Sequence, residues 1–198
     1  MKTSNIVLIV VGLLVLIVGW TGCGKYNTIV TKQEATKKAW AQVENVYQRR
    51  MDLIPNLVNT VKGAADFEKT TLTQVVEARA KATQMNVDAS KLSPDQIKAF
   101  QSSQGELSQA LGRLMVVAEQ YPQLRATEAF RDLQVQLEGT ENRITVERKK
   151  FNDIVGDYNT YIKRFPNNIF AGMMGAEEKG YFEMTEGADV APEVQFEF

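Results

Sequence analysis

In the second half of the chain the large apolar residues recur in alternating steps of three and four, and that spacing admits little except long amphipathic helices. One run reads Ile97, Phe100, Gln104, Leu107, Leu111, Leu114, Ala118, Tyr121. Another reads Phe130, Leu133, Leu137, Thr140, Ile144, Glu147, Phe151, Ile154, Tyr158, Tyr161, Phe165. A half-buried strand alternates with period two, whereas a helix brings every third and fourth residue onto one face. Glu147 is the only charge on the second stripe and marks a wet or partner-facing point.

The first half carries the same signature more loosely. Trp40, Val43, Tyr47, Ile54, Leu57 and Val61 step by 3, 4, 7, 3 and 4, and the skipped position is Arg50. Thr31 and Glu34 have the spacing of a capping box, so this helix is expected to begin near Lys32 and to end at Gly63. Asp66 is the expected N-cap of a second helix carrying Phe67, Leu72, Val75, Val76, Ala78 and Ala82, fading by Asn86. Ser93-Pro94-Asp95-Gln96 is a strong start for the third, with a capping serine, an early proline and a box-closing glutamine. Thr127 caps the fourth, which runs to Phe165-Pro166. Thirteen Gly and five Pro in 198 residues leave material for only short connections. The expected fold is therefore all-α, an antiparallel four-helix bundle in which each stripe needs the others to leave water. A continuous parallel coiled coil is the alternative, and the proline breaks oppose it.

Before the bundle, Ile6 to Trp20 holds no charge, and Thr21 to Gly24 extends the uncharged run. Eighteen or nineteen helical residues span roughly 27–29 Å, close to the bilayer's apolar core. Residues 1–24 thus read as a membrane anchor or a lipoprotein-type signal, with membrane lipid as partner. Thr21-Gly22-Cys23 has the layout of a lipid-modification site at Cys23, although Trp20 departs from the aliphatic residue usual three positions earlier. Lys25, Lys32, Lys37 and Lys38 favour a cytoplasmic bundle by the positive-inside rule, whereas the signal-like layout favours the outside. Both placements stay open.

Residues 25–165 form the expected helical body and 166–198 a separate tail. The tail has seven acids, Glu177, Glu178, Glu183, Glu186, Asp189, Glu193 and Glu197, against Lys179 alone. It also carries Phe170, Tyr181, Phe182, Phe196 and Phe198. It reads either as an extended acidic solvated tail or as an aromatic peptide that docks on a groove or a partner edge.

Several chemistries are excluded by counting. With no His, neither a His-based nucleophilic triad nor a His-ligated metal can form, and the Glu-x-x-His pairs of di-iron bundles are impossible. One Cys permits no internal disulfide. A net charge of −1 gives no field for nucleic acid. No catalytic residue, metal site or cofactor is expected.

The most unusual segment runs from Gln42 to Gly63. Pro55 lies inside a helical pattern, where it removes a hydrogen bond to the carbonyl of Met51 and predicts a kink. Arg49, Arg50 and Asp52 crowd the turn before it, and Asn56 follows, placed to bond a freed backbone group. Glu44 lies a turn or two back. The plain reading is that the arginines pair with Asp52, with Glu44 or with acids of neighbouring helices. The alternative is a polar notch that grips a partner.

This segment resembles the LemA family of bacterial membrane proteins. The resemblance extends through Lys25-Tyr26-Asn27, Ala39-Trp40, Glu77-Ala78-Arg79, Glu119-x-Tyr121-Pro122, the run from Leu137 to Ile144, Tyr158-Asn159-x-Tyr161 and Phe165-Pro166. Met51 departs from the small residue usual there, and Cys23 is not a general family feature. The resemblance implies a membrane-anchored helical bundle with a non-catalytic, scaffold-like role in the bacterial envelope. It also implies an association with TPM-domain proteins or HtpX-type membrane proteases. The interaction-surface candidates are Glu44, Arg49, Arg50, Asp52 and Asn56. A self-assembling homo-oligomer that organises membrane is the second reading, and an enzyme working without His the third.

Overall fold

A computed structural model describes residues 3–63 and 68–183. Side chains 3–11 and 14–21 lie outside the described set, and so do Asp66, Phe67 and the acidic residues from 184 onward. The helices are α1 (Thr3–Lys62), α2 (Lys69–Gln84), α3 (Pro94–Ala118), α4 (Pro122–Arg125), α5 (Glu128–Lys163) and α6 (Asn167–Met173). No strand occurs among the described residues. The protein is all-helical.

The largest departure from expectation is α1. It is one helix of 60 residues, about 90 Å long, and it does not begin near Lys32. The Thr31 hydroxyl donates to the Asn27 carbonyl 2.8 Å away, as mid-helix threonines do, and so cannot cap an N-terminus. A capping box needs a free first turn, and here the preceding residues are already helical. The C-terminal end follows the sequence: Gly63 donates to the carbonyls of Asn59 and Thr60. The other starts also follow it. The Ser93 side chain accepts from Gln96 and the Gln96 side chain accepts from Ser93, while the Thr127 side chain accepts from Phe130. The expected N-cap Asp66 lies outside the described residues, and α2 begins at Lys69 behind Glu68.

Three apolar clusters run down the α1–α5 pair, which is antiparallel. The first joins Ile54, Leu57 and Val61 of α1 to Leu72 and Val75 of α2, Leu107 and Leu114 of α3, and Phe130 and Leu133 of α5. The second is aromatic and gathers Trp40, Tyr47, Phe100, Phe151 and Phe182. The third joins Ile29 of α1 to Tyr158 and Ile162 of α5 and Ala171 of α6. In this lower part the buried row of α5 is Phe151, Val155, Tyr158 and Ile162, so Phe165 is left exposed. A strict seven-residue repeat drifts around a straight helix, and over the length of α5 the core face moves off the predicted stripe.

The tail is also not wholly extended. Residues Asn167–Met173 form α6, which ends on Gly175 in the left-handed conformation (φ +64°). That geometry favours glycine at a helix end. Beyond it, the chain runs back along α5 as a strap to Glu183.

Candidate functional site

Arg50 sits where the first two clusters meet, and its side chain is 2% exposed. One terminal nitrogen donates to Ser108 Oγ and to Glu141 Oε2, each at 2.9 Å. The other donates to the carbonyl and the side-chain oxygen of Gln104. The guanidinium also stands 5.1 Å from the centre of the Tyr47 ring. Three helices therefore converge on one cation: α1 supplies it, α3 supplies Gln104 and Ser108, and α5 supplies Glu141. The expected pairing with an acid of a neighbouring helix is what forms. Neither Asp52 nor Glu44 takes part.

A buried charge is costly unless its donors are met. Here Glu141 is 54% exposed, so the carboxylate keeps contact with water while the guanidinium does not. Among the described residues Arg50 Nε and Gln104 Nε2 have no protein acceptor. The layer nevertheless opposes sliding of the helices, because a shift of α1 by one heptad would press Arg50 against aliphatic neighbours. Burial, aided by Glu141, raises the Tyr47 phenol above its ordinary 10.0, and Arg148 and Arg50 oppose that rise.

Around Pro55 the helix continues. The Met51 carbonyl, which has lost its partner four residues on, accepts from Arg79 Nε of α2 at 2.9 Å. Asn56 was the expected donor, but its side chain points outward and is exposed. An amide just past the proline lies a full turn from that carbonyl, whereas Arg79 reaches it from the facing helix. Thr83 adds a contact from its hydroxyl to Met51 Sδ at 3.4 Å. Arg79 was thus missed as a site residue, and its only sequence signal was its place in the Glu77-Ala78-Arg79 motif.

Glu44, Arg49, Asp52 and Asn56 are all exposed. Asp52 accepts from Gln48 at 2.8 Å, and the side chains of Glu44 and Arg49 form no hydrogen bond or ion pair among the described residues. The sequence candidates thus divide. Arg50 looks inward and organises the core, and the other four form an open polar face of α1. Cys23 is an exposed free thiol on the same helix.

The strap is the second constellation. Three side-chain amides each clasp its backbone twice. Asn159 accepts from the Lys179 amide at 2.9 Å and donates to its carbonyl at 2.8 Å. Asn152 does the same with Phe182 at 2.9 and 2.8 Å, and Gln101 with Glu183 at 2.9 and 3.0 Å. Asn152 and Asn159 are seven apart, on one row of α5. Gly180 donates to the Leu92 carbonyl at 2.8 Å. A Cβ on Gly180 would stand 2.7 Å from Pro94 Cα, so only glycine lets the strap lie this close. Lys179, the sole base of the tail, is buried and donates to the carbonyls of Ser90 and Lys91 at 2.7 and 2.6 Å. Burial lowers its ammonium below the ordinary 10.5, with Glu177 opposing. Phe182 fills the aromatic cluster, 5.5 Å from Phe151 and stacked 6.1 Å from Trp40. Of the two readings of the tail, docking on a groove holds for residues 176–183, and the remainder lies outside the described residues.

Among the described residues, no three Asp, Glu or Cys side chains gather where they could hold a metal ion. What the geometry defines is an all-helical protein whose polar groups are spent on holding helices in register and clasping its own tail. The chain belongs to the LemA family, which it matches over residues 39–196. It is similar to the magnetosome protein MamQ 2 of Paramagnetospirillum magneticum, with 28% identity over 83% of this chain and 67% of that one. It resembles MamQ of Magnetospirillum gryphiswaldense at 27% identity with the same coverage. The protein LemA of Metamycoplasma hominis is 23% identical over 82% of this chain and 71% of its own.

Proposed function

We propose that the protein is a non-catalytic, membrane-tethered scaffold whose four long helices form an antiparallel bundle that presents the open face of α1 to a membrane or envelope protein. One observation carries the reading. The uncharged run and the core residues Trp40 to Val61 belong to one unbroken helix, so tether and body move as a single rigid element.

Among the described residues no helix is long and apolar enough to cross a membrane, and the anchor rests on side chains outside that set. Leu13, the one large apolar side chain described within the run, is exposed, and nothing lies within 4 Å of a Cβ placed at Gly12. Both support a segment whose contacts are with lipid rather than with the bundle. Membership of the family and likeness to proteins named for the magnetosome support a role in membrane organisation.

The test uses the full chain in its native membrane, with a photo-crosslinking amino acid at Arg49, Asp52 or Asn56 and, as control, at Val135 on the outer face of α5. The reading expects discrete protein adducts from the α1 positions and none from Val135. No adduct at any of the three removes the scaffold reading. Intact-mass analysis of the N-terminus distinguishes a retained anchor from a chain that begins at a lipid-modified Cys23.

A further inference from the structure

Among the described residues, the two most exposed large apolar side chains lie at one end of the molecule, with a third between them. Phe165 and Met173 are each 81% exposed, and Ile169 between them is 53% exposed. Ile169 and Met173 are spaced by four, so they share one face of α6, and Phe165 lies exposed in the turn just before the helix. The helix itself, Asn167–Met173, carries no charge. Its opposite side is packed: Ala171 is buried against the third cluster and Phe170 lies partly buried beside it. An apolar face of this kind on a folded domain marks a contact surface.

The position of α6 says what that contact is. A Cβ on Gly22 would stand 3.0 Å from Phe170 Cε1, so α6 lies beside α1 at Gly22. Gly22 is two residues past Trp20, about 3 Å along the helix from the end of the apolar run. Just beyond it, Lys25 and Lys32 place their ammonium groups 5.9 and 5.6 Å from the centre of the Tyr161 ring, and Arg164 is exposed next to Phe165. Lys163 pairs with Glu178 at 2.7 Å, so the free positive charge in this collar is that of Lys25, Lys32 and Arg164. Apolar side chains level with the end of a hydrophobic segment, an aromatic ring and a basic fringe make up the layering of a bilayer's headgroup region.

We infer that the Ile169–Met173 face of α6, with Phe165 in the turn before it, lies in the boundary between headgroups and acyl chains of an anionic bilayer, and there fixes the bundle's orientation to the membrane. The inference rests on the membrane-anchor reading above. A single helical tether leaves rotation and tilt free. A second contact formed by α6 removes that freedom and sets which way the open face of α1 points.

The experiment replaces Ile169 or Met173, in turn, with an environment-sensitive fluorescent amino acid in the full chain. Val135, exposed on α5 about 40 Å along the bundle, serves as control. The protein is reconstituted in vesicles of phosphatidylcholine and phosphatidylglycerol and floated on a gradient. The inference expects a blue-shifted emission at 169 and 173, quenched several-fold by lipids carrying a shallow nitroxide, with Val135 unshifted. If the protein floats but 169 and 173 emit like Val135, α6 is wet and the inference falls while the anchor stands. If they are shifted yet not quenched, protein rather than lipid covers the face, and the inference again falls. If the full chain does not float, the anchor reading fails and takes the inference with it.

Discussion

The two sides of Arg50 enclose the same helix pair by different means. Toward Val61, α1 and α5 are covered by α2 and α3, and the core is aliphatic apart from Phe130. Toward Trp40, α2 has ended at Gln84, and its place is taken by the loop carrying Val87 and Leu92 and by the strap carrying Phe182. There the core is aromatic. A helix covers a groove with its own hydrogen bonds already made. A strap has none, so its enclosed backbone groups need partners, and the amides of Asn159, Asn152 and Gln101 supply those of Lys179, Phe182 and Glu183. The difference shows that a groove along a helix pair need not be closed by a helix, provided it is lined with amides.

The junction between the halves should show the largest effect. Arg50→Ala strips three helices of their shared donor and leaves the buried Gln104 without it, at an expected cost of about 3–5 kcal/mol by chemical denaturation. Arg50→Met keeps the volume and should recover a good part of that loss, because both neighbouring layers are apolar. Equal losses for the two variants would mean that the pairing, and not the packing, sustains this layer. A next smaller effect belongs to the aromatic half. Phe182→Ala removes a buried ring that meets Trp40, Phe100 and Phe151, with an expected loss of about 3 kcal/mol. A change under about 0.5 kcal/mol, ordinary for a surface site, would show the strap to be undocked in solution and would erase the contrast between the halves.

The two halves also differ in how far they were legible beforehand. The aliphatic half lies on heptad stripes, and periodicity alone named Ile54, Leu57, Leu107, Leu114 and Leu133. The polar layer was visible in the same stripes, since Arg50 and Gln104 are polar interruptions of two of them, but nothing local says that they meet. The strap had no period to read. Its partners are 19 to 89 residues away in the chain, and a docked extended segment looks in sequence like any polar tail. The capping box at Thr31 misled for a related reason: a motif valid at a free helix end says nothing when the helix is already running. Arg79 was out of reach because its bond goes to a backbone carbonyl, and every residue has one of those.

Gly180→Ala probes the strap without touching its aromatic anchor. The added methyl meets Pro94 backbone, which cannot turn away as a side chain can, so the strap must lift locally. The expected cost is about 1–3 kcal/mol. Hydrogen exchange should report it directly, with protection lost at the Gly180 amide, which bonds Leu92, and kept at Phe182, which Asn152 holds. Loss of protection along the whole strap, in step, would make it one cooperative unit with the aromatic cluster instead of a series of separate clasps.

The smallest effect lies at alkaline pH and sets a tyrosine at the junction against a tyrosine at the strap. Burial raises both Tyr47 and Tyr158 above the ordinary 10.0, with Glu141 adding to the first and Glu177 to the second. Between 10.0 and those raised values the unfolded chain has lost protons that the native one keeps, so stability falls as pH rises. Lys179 works the other way. Its folded value is below 10.5, so from there to 10.5 the unfolded chain binds more protons and this group's share of stability rises with pH. With two phenols against one amine, the net expectation above pH 10 is a modest decline. A pH titration followed by phenolate absorbance should show a smaller step at the ordinary value in the folded protein than in denaturant. Tyr158→Phe should remove part of the lagging absorbance and flatten the decline, because the Tyr158 hydroxyl, which donates to the Glu177 carbonyl at 3.1 Å, is then absent from both states. If the full phenolate step appears at the ordinary value while the helical signal is intact, both rings are open to solvent, and neither the junction nor the strap is as tightly closed as its hydrogen bonds imply.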